Sequence, residues 1–396
     1  MKKIALVADT FPPTNTSAAI QLENLSRQLT LDGNKVVVFI PDETIKEKIE
    51  VSFQSNFEIV KIRSPKIKNI SFIRRAINES LLPLVAIKNL YLKNKLIKGF
   101  DCVIFYSPSI FIWPIALLIK LKSKCKSYLI LRDIFPDWAL DLGLINKNLP
   151  YFYFKLIEYL MYLSADKIGV QTKSNLDHFK NFYFLKKNKL EVLHNWLSSY
   201  EKEILKFSFD TNILQNKTIL IYSGNMGEAQ NIEIWLELAD QIKDQDILFI
   251  FVGRGSKLND LLQKKEDLGI ENVIFLDELV PSKLNYLYDF CHLGIISLDK
   301  KHKINNIPGK MLSYLQSGLP ILASVNPDND MKEIVIKNKV GRLIENESID
   351  ELREKLYEMI SLIESDSKIR ERCVNLWKTE FSTQKAADQI LDFFHP

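Results

Sequence analysis

The sequence predicts two doubly wound α/β domains that follow one another along the chain. Its 396 residues, 46% of them hydrophobic, are enough for two domains that each bury a core. Short apolar runs alternate with longer segments of helical period throughout, which is typical of parallel sheets with helical crossovers. A polar, irregular stretch at 198–217 divides these runs into two series.

The first series predicts a sheet of six strands. Each run is apolar along most of its length, as expected for strands that are buried on both faces. Asp9 interrupts the first run, so a strand is favoured there over the start of a signal peptide. The predicted strands are 4–8, 36–40, 103–106, 128–131, 167–170 and 190–193.

The second series predicts another parallel sheet, and with it two domains at 1–196 and 197–375. The end of the chain has helical period, and we expect about 376–396 to return to the first domain. Ligands of such sheets bind beyond the carboxyl ends of the strands, so two facing sheets would form a cleft. The predicted strands are 219–223, 248–252, 273–276, 293–297, 321–323 and 341–344.

Charge and cysteine content restrict the partners and the compartment. The net charge of +4 does not indicate nucleic-acid binding, but residues 61–100 hold ten basic residues against one acidic residue. This basic segment favours anionic lipid headgroups or a polyanionic acceptor. The four cysteines form no CxxC pair, so we predict a reduced, cytoplasmic compartment with peripheral association at the inner face of the plasma membrane.

Two apolar segments could either contact a membrane or be buried inside the folded protein. Residues 102–119 carry no charge, but Pro108 and Pro114 interrupt them, so strand, turn and buried helix are favoured over a membrane span. The aromatic run at 151–162 predicts a helix that packs in a core. An interfacial membrane helix is the alternative.

The loop after the first strand is a candidate acceptor-binding site. Asn15, Thr16 and Ser17 precede a predicted helix at 18–29, and Ser17 is a plausible N-cap. The free amides of that helix would face the ligand side of the sheet. The alternative is an ordinary turn between a strand and a helix.

Two carboxylates and an arginine follow the fourth strand. Arg132, Asp133 and Asp137 lie in the segment LRDIFPDW, at the carboxyl end of that strand. We interpret Arg132 and Asp137 as acceptor-binding, and Asp133 as the general-base candidate because it comes first after the strand. A surface ion pair between Arg132 and Asp133 is the alternative.

Small residues follow the first two strands of the second domain. Gly224, Asn225 and Gly227 come after one strand, and Gly253 and Arg254 after the next. Glycines at such turns let the backbone approach a phosphate closely, and the amides of the following helix can donate to it.

A lysine near the start of a later helix is the main candidate for contact with a diphosphate. The segment IPGKMLSYLQSG places Lys310 in the first turn of a helix that begins at Pro308. A lysine there opposes the helix dipole, and a bound diphosphate would offset that cost. A solvent-exposed lysine is the alternative.

These segments together resemble the retaining glycosyltransferases of family 4, which have the GT-B fold of two facing Rossmann-like domains. The bacterial surface-polysaccharide transferases that include N-acetylfucosaminyl transferases are the most similar group. The resemblance covers essentially the whole chain and rests on four segments, RDIFPDWALDLGLI, VLHNW, YSGNMGEAQNIE and IPGKMLSYLQSGLPILA.

The resemblance implies transfer of a sugar from a nucleotide donor with retention of configuration, without a metal or other cofactor. It places the donor against the second domain and the acceptor against the first, with Asp133 near the reaction centre and Lys310 at the diphosphate. The positions that it assigns to donor binding are Gly224, Asn225, Gly227, Gly253, Arg254, Gly309, Lys310 and Ser313.

The chain departs from the family pattern at several positions. Asn225 and Gln230 stand where many relatives have Arg and Lys, and Thr16-Ser17 stands where many have Gly-Gly. Many members carry two glutamates eight residues apart, where this chain has Asn305 and Ser313. The second glutamate usually contacts the donor ribose, and Ser313 removes that anchor.

A metal-dependent site is not favoured. The DxD-like segments 244–246 and 328–330 match a metal-nucleotide motif of a different glycosyltransferase fold, but the first precedes a strand. The five histidines show no metal-binding spacing.

The sequence therefore predicts a glycosyltransferase that uses a UDP-linked donor and a polyprenyl-diphosphate-linked glycan acceptor, at a membrane surface contacted through residues 61–100. Capsule or O-antigen synthesis is the expected setting, and no nucleic-acid partner is expected. Two alternatives stay open. One is a noncatalytic protein that binds nucleotide sugars, and the other is a nucleotide-sugar epimerase on the same fold.

Overall fold

The computed structural model describes residues 1–14, 16–54, 57–67, 70–141, 143–182, 187–199, 211–300 and 307–395. The chain forms two compact units. Unit 1 comprises Met1–Ser198 and Thr383–Pro396, and unit 2 comprises Ser199–Ser382.

Unit 1 contains an eight-stranded sheet with the order β3-β4-β2-β1-β5-β6-β7-β8. Neighbouring strands are parallel except β3, which pairs antiparallel with β4 at one edge. The strands are β1 (Lys3–Val7), β2 (Lys35–Asp42), β3 (Ile49–Gln54), β4 (Phe57–Arg63), β5 (Cys102–Tyr106), β6 (Lys126–Leu131), β7 (Lys167–Val170) and β8 (Leu190–Val192).

Helices cover both faces of this sheet. Successive residues of β1 point to opposite faces, so that Leu6 packs in the core beneath α1 and Val7 in the core on the other side. The helices are α1 (Ser17–Leu31), α2 (Phe72–Leu92), α3 (Trp113–Ser123), α4 (Asp137–Asp141), α5 (Leu149–Ser164) and, from the end of the chain, α13 (Thr383–Asp392). Ala387 and Ile390 of α13 are fully buried in the α1 core.

Unit 2 contains a six-stranded parallel sheet with the order β11-β10-β9-β12-β13-β14. The strands are β9 (Thr218–Ser223), β10 (Ile247–Val252), β11 (Val273–Leu276), β12 (Leu293–Ser297), β13 (Ile321–Ser324) and β14 (Gly341–Ile344). The helices are α6 (Glu233–Gln241), α7 (Leu258–Asp267), α8 (Pro281–Tyr288), α9 (Gly309–Gln316), α10 (Met331–Lys337), α11 (Ile349–Ser365) and α12 (Ile369–Leu376).

The two sheets agree with the sequence-based expectation, with three local differences. Strands β3 and β4 were not predicted, because their residues alternate between apolar and charged or polar instead of forming a continuous apolar run. Thr16, not Ser17, is the N-cap of α1, since its hydroxyl accepts from the backbone N–H of Ala19 at 3.2 Å. The end of the chain is not one helix, because a π-helical turn at Trp377–Phe381 separates α12 from α13.

The segment at 102–119 forms β5, a turn and α3, and so does not continue as one helix. Across the part of the chain that the structure describes, no helix combines the length and apolar character needed to cross a membrane. All four cysteines are free, and three of them are buried.

Candidate active site

Two glycine loops at the carboxyl ends of β9 and β10 pack backbone against backbone. The N–H of Gly224 donates to the carbonyl of Val252 at 2.9 Å, and the N–H of Met226 donates to that of Arg254 at 2.8 Å. Gly253 has a φ of +144°, and a Cβ there would lie 2.0 Å from the carbonyl oxygen of Gly224. A side chain at position 253 is therefore incompatible with this packing.

The first loop is fixed by side chains as well. The Gln230 side-chain oxygen accepts from the N–H of Gly227 at 3.1 Å and from the Asn225 amide at 3.0 Å. The Tyr222 hydroxyl donates to the carbonyl of Asn225. Gly224 and Asn225 are nevertheless exposed, so the turn is held in one conformation and presents its outer face to a ligand.

Lys310 reaches this turn from the first turn of α9. Its Nζ lies 3.5 Å from the centre of the Tyr222 ring, and a Cβ at Gly224 would lie 3.5 Å from the same Nζ. The lysine is partly buried, and this desolvation lowers its pKa to about 7. A cation in this position, beside exposed backbone and the amides at the start of a helix, suits a diphosphate.

A buried network of hydroxyl groups holds α9 against the sheet beneath Lys310. The Tyr314 hydroxyl accepts from the N–H of Ser223 at 2.9 Å, and the Ser223 hydroxyl lies 2.7 Å from that of Tyr288. Gly294 makes room for the Tyr314 ring, since a Cβ there would lie 2.4 Å from it. The sequence alone does not reveal this network, although a glycine inside a buried strand indicates such a close approach.

The remaining donor candidates are placed less tightly. The Arg254 side chain is 80% exposed and pairs with Glu278 at 3.1 Å. Gly309 begins α9 with open space around its Cα, and Ser313 is partly buried one turn later. Asn305 lies outside the described residues.

The loop after β1 in unit 1 uses one acceptor candidate for its own structure. Thr16 caps α1, and its hydroxyl lies 3.4 Å from that of Thr10. Ser17 is exposed in the first turn. Asn15 lies outside the described residues.

Arg132 and Asp133 lie next to one another in sequence but have different environments. Arg132 is buried and donates to the carbonyls of Leu193 at 2.7 Å and His194 at 3.3 Å. Its guanidinium also lies 4.9 Å from the centre of the Trp196 ring. Asp133 reaches solvent, and partial desolvation raises the pKa of its carboxyl although the nearby Arg132 lowers it.

Asp137 contacts the interior of unit 1. It accepts from the Tyr151 hydroxyl at 2.9 Å, pairs with Lys155 at 3.1 Å and lies 3.4 Å from His178. Asp137, Glu158 and His178 are close enough to hold a cation, but the Lys155 ammonium already pairs with both carboxylates.

A cavity of about 290 Å³ lies at the carboxyl ends of β1, β2 and β4. Asp9, Asp42 and Lys61 line it, and Lys61 pairs with Asp42 at 3.3 Å. Burial raises the pKa of Asp42, but hydrogen bonds from Thr44 and Lys61 outweigh it and lower the pKa overall. Sequence analysis did not select these residues, although two of them lie at or directly after the ends of strands.

Comparison with known proteins gives a family match in unit 2. Residues 203–375 match the family described as glycosyl transferases group 1. The chain is 20% identical over 223 residues to the probable glycosyltransferase WbjE of Pseudomonas aeruginosa, covering 54% of this chain and 55% of WbjE. It is 30% identical over 107 residues to the putative colanic acid biosynthesis glycosyl transferase WcaI of Escherichia coli K12, covering 26% and 25%. The matched regions thus span about half of WbjE and a quarter of WcaI.

Solved structures extend the similarity to the whole chain. The structure of Anabaena Alr3699/HepE in complex with UDP superposes with a TM-score of 0.68 at 13% identity, over 99% of both chains. At this identity the similarity establishes the fold, which is GT-B.

Proposed function

We propose that the chain transfers a sugar from a UDP-linked donor to a lipid-linked oligosaccharide in the synthesis of a surface glycan. The premises are that residues 203–375 match the group 1 glycosyl transferases and that the fold is GT-B. The observation that carries the proposal is the position of Lys310, which is desolvated against Tyr222 and Gly224 at the start of α9. A desolvated ammonium beside exposed backbone is suited to charge that develops on a leaving diphosphate.

Three elements of unit 2 support the assignment of the donor. The outer face of Gly224 and Asn225 allows close approach of a phosphate, the N-terminus of α9 offers amides, and Lys310 offers a cation. Gly227 and Gly253 keep the two loops in place, and Arg254 is exposed nearby. The UDP in the HepE structure favours uridine diphosphate.

The proposed reaction retains the anomeric configuration and needs no metal. The bond between the anomeric carbon and the diphosphate oxygen breaks, and the acceptor oxygen forms a bond on the same face of the sugar. The acceptor proton passes to the departing diphosphate, so the charges balance without an enzyme nucleophile. Lys310 and the amides of α9 stabilise the diphosphate as its charge increases.

The acceptor is assigned to unit 1. Asp133 is the best placed carboxylate to orient the acceptor hydroxyl, because it reaches solvent while Asp137 is engaged with Lys155 and Tyr151. The polar cavity at Asp9 and Asp42 offers hydrogen-bonding groups to a sugar. The WbjE and WcaI similarities support a surface glycan, and the basic segment 61–100 supports a location at the cytoplasmic face of the membrane.

The decisive experiment compares Lys310→Met with the native chain in a UDP-release assay that uses a panel of UDP-sugars and a lipid-linked acceptor. We expect kcat to fall by about 10²–10³-fold, the range found when one stabilising group is removed from a developing anion. The melting temperature should not fall, since the substitution removes a desolvated charge.

Lys243→Met is the matched control, because Lys243 is an exposed lysine of unit 2 that pairs only locally, with Asp240 at 3.0 Å. It should keep full activity. Binding of UDP without turnover of any donor would contradict the proposal and favour a noncatalytic protein. Conversion of the donor sugar with no acceptor present would contradict it in favour of an epimerase.

A further inference from the structure

We infer that α2 and α5 of unit 1 together form a surface that docks on a bilayer with anionic lipid headgroups. The inference rests on the proposed function, because a lipid-linked acceptor requires the protein to work at a membrane. Its evidence, however, is confined to exposed side chains of unit 1, and it assigns to α5 a role that charge counting along the chain does not reveal.

The outward face of α5 is apolar along the whole helix. Leu149 and Phe152 are 83% and 61% exposed, and the other members of the face are exposed as well. The spacing is that of one side of a helix. The face consists of Leu149, Phe152, Tyr153, Leu156 and Leu163.

The charged residues of α5 point away from this face. Lys155 and Glu158 are the only charged residues in the helix. Glu158 is fully buried, and Lys155 pairs with it and with Asp137. The exposed side of α5 therefore carries no charge, which is unusual for a helix whose outer side contacts only water.

The outward face of α2 combines apolar and basic residues. Leu84 is 65% exposed, and the one acidic residue of the helix, Glu79, pairs with Arg75 at 2.9 Å. The outward residues follow helical spacing and include no acid. They are Arg74, Ile77, Leu81, Leu84, Lys88 and Tyr91.

The two helices meet at one point of this side of unit 1. The Tyr153 hydroxyl of α5 donates to the Ser80 hydroxyl of α2 at 2.8 Å. At the other end of α2, Lys122 of α3 lies 4.9 Å from the centre of the Tyr91 ring. We call this combined surface the α2–α5 surface.

A bilayer matches this surface better than a protein does. Leucine and aromatic side chains enter the boundary between headgroups and acyl chains, while arginine and lysine stay among the headgroups. Exposed Lys93, Lys95 and Lys98 directly after α2 extend the positive charge, which complements anionic lipids.

The test is co-sedimentation of the full-length chain with phosphatidylcholine vesicles that do or do not contain phosphatidylglycerol. We expect binding to the anionic vesicles, and we expect it to weaken as salt approaches 1 M, where the Debye length is about 3 Å. The double variant Leu84→Glu/Leu156→Glu should bind at least tenfold more weakly. Arg74→Glu/Lys88→Glu should lose the preference for anionic vesicles.

Leu31→Glu is the matched control, because Leu31 is a leucine of unit 1 that is 79% exposed but lies at the end of α1, outside the α2–α5 surface. It should bind vesicles like the native chain. An equal loss in this control, equal binding to neutral vesicles, or a native dimer that the double variant abolishes would each overturn the inference.

Addition of UDP should raise the melting temperature if the proposed function is right, because a bound ligand stabilises the folded state. This rise distinguishes the inference from the proposed function. It should persist in every variant of the α2–α5 surface, since UDP is assigned to unit 2. Weak vesicle binding with an intact UDP response therefore counts against the docking surface alone.

Discussion

The proposed donor side of unit 2 and the proposed acceptor side of unit 1 both lie at the carboxyl ends of parallel strands, yet they are constructed differently. In unit 2 two loops pack backbone against backbone, with Gly253 against Gly224 and Lys310 beside them. Gln230 and Tyr222 only support the first of these loops. In unit 1 the loops are held by side chains, such as Arg132 on the carbonyls of 193–194 and Asp137 on Lys155.

This difference indicates what each edge can tolerate. Backbone groups, such as those of the loops at Gly224 and Gly253, suit a group that is common to many substrates, such as a diphosphate. Their amides recognise the shape and charge of that group, which do not differ between the sugars attached to it. Loops held by side chains can change residue by residue while the sheet stays the same. We therefore expect substitutions in unit 2 to affect donor binding as a whole, and substitutions in unit 1 to have separable effects.

The largest expected effect comes from Gly253→Ala, which disrupts the packing of the two glycine loops of unit 2. The new Cβ would lie 2.0 Å from the Gly224 carbonyl oxygen at a φ of +144°. Overpacking and backbone strain each cost about 1–3 kcal/mol, so we expect the free energy of unfolding to fall by about 2–6 kcal/mol, with loss of UDP binding. Urea denaturation and calorimetric titration with UDP measure the two effects.

Gly309→Ala is the control, because position 309 has open space and begins a helix. It should leave the stability unchanged or raise it by about 0.5–1 kcal/mol. If both variants behave alike, close packing at Gly253 does not determine the structure of the donor loops.

The next prediction concerns two aspartates of unit 1, of which one should affect activity and the other stability. Asp133→Asn should lower kcat by about 10²-fold with little change in stability, because Asp133 reaches solvent. Asp137→Asn should instead lower the free energy of unfolding by about 1–3 kcal/mol, because Lys155 loses a charged partner. Initial rates and melting curves for both variants test this contrast, and equal stability losses would contradict it.

The raised pKa of Asp133 adds a pH dependence to the same comparison. Activity that uses its carboxylate should fall as the pH drops through that raised value. The low-pH limb of the rate profile should disappear in Asp133→Asn and persist in Asp137→Asn.

The smallest expected effect is a pH dependence of UDP binding. The pKa of free Lys310 is about 7, and a bound diphosphate raises it, so binding takes up a proton between those two values. The Kd for UDP should therefore increase above pH 7 by up to about tenfold per pH unit. Calorimetry at pH 7 and above, in buffers of different ionisation enthalpy, measures the affinity and the proton uptake.

Lys310→Arg is the matched variant, because a guanidinium stays protonated at every pH tested. Its UDP affinity should not change with pH. A similar pH dependence in this variant would show that another group titrates.

Most of the fold follows from apolar runs, and the exceptions share a physical cause. Strands such as β9 and β10 are buried on both faces and therefore apolar throughout. Strands β3 and β4 lie toward one edge of their sheet, and Glu50 and Lys61 interrupt the apolar pattern there. Edge position alone is not the cause, since the edge strands β8, β11 and β14 were predicted. The pattern is lost where charged or polar residues interrupt the apolar run, as in β3 and β4.

The candidate site was predictable where geometry demands a residue type. Gly253 and Gly224 stand out in the sequence because only glycine fits their backbone, and Lys310 because of its place in a helix. The partners of Asp137 lie 14 to 41 residues away along the chain, and the hydroxyl network beneath Lys310 joins three separate elements. Such contacts depend on packing that no local spacing encodes.

The position of α13 sets the order in which the protein can mature on the ribosome. Ala387 and Ile390 fill the core against α1, so unit 1 lacks part of its interior until residues 383–392 have been made. All of unit 2, Ser199–Ser382, is synthesised in between. At about 5–20 residues per second this leaves roughly 10–40 s in which the part of this core that α13 fills is open. Unit 2 is therefore the first half whose residues are all available for folding, although unit 1 begins the chain.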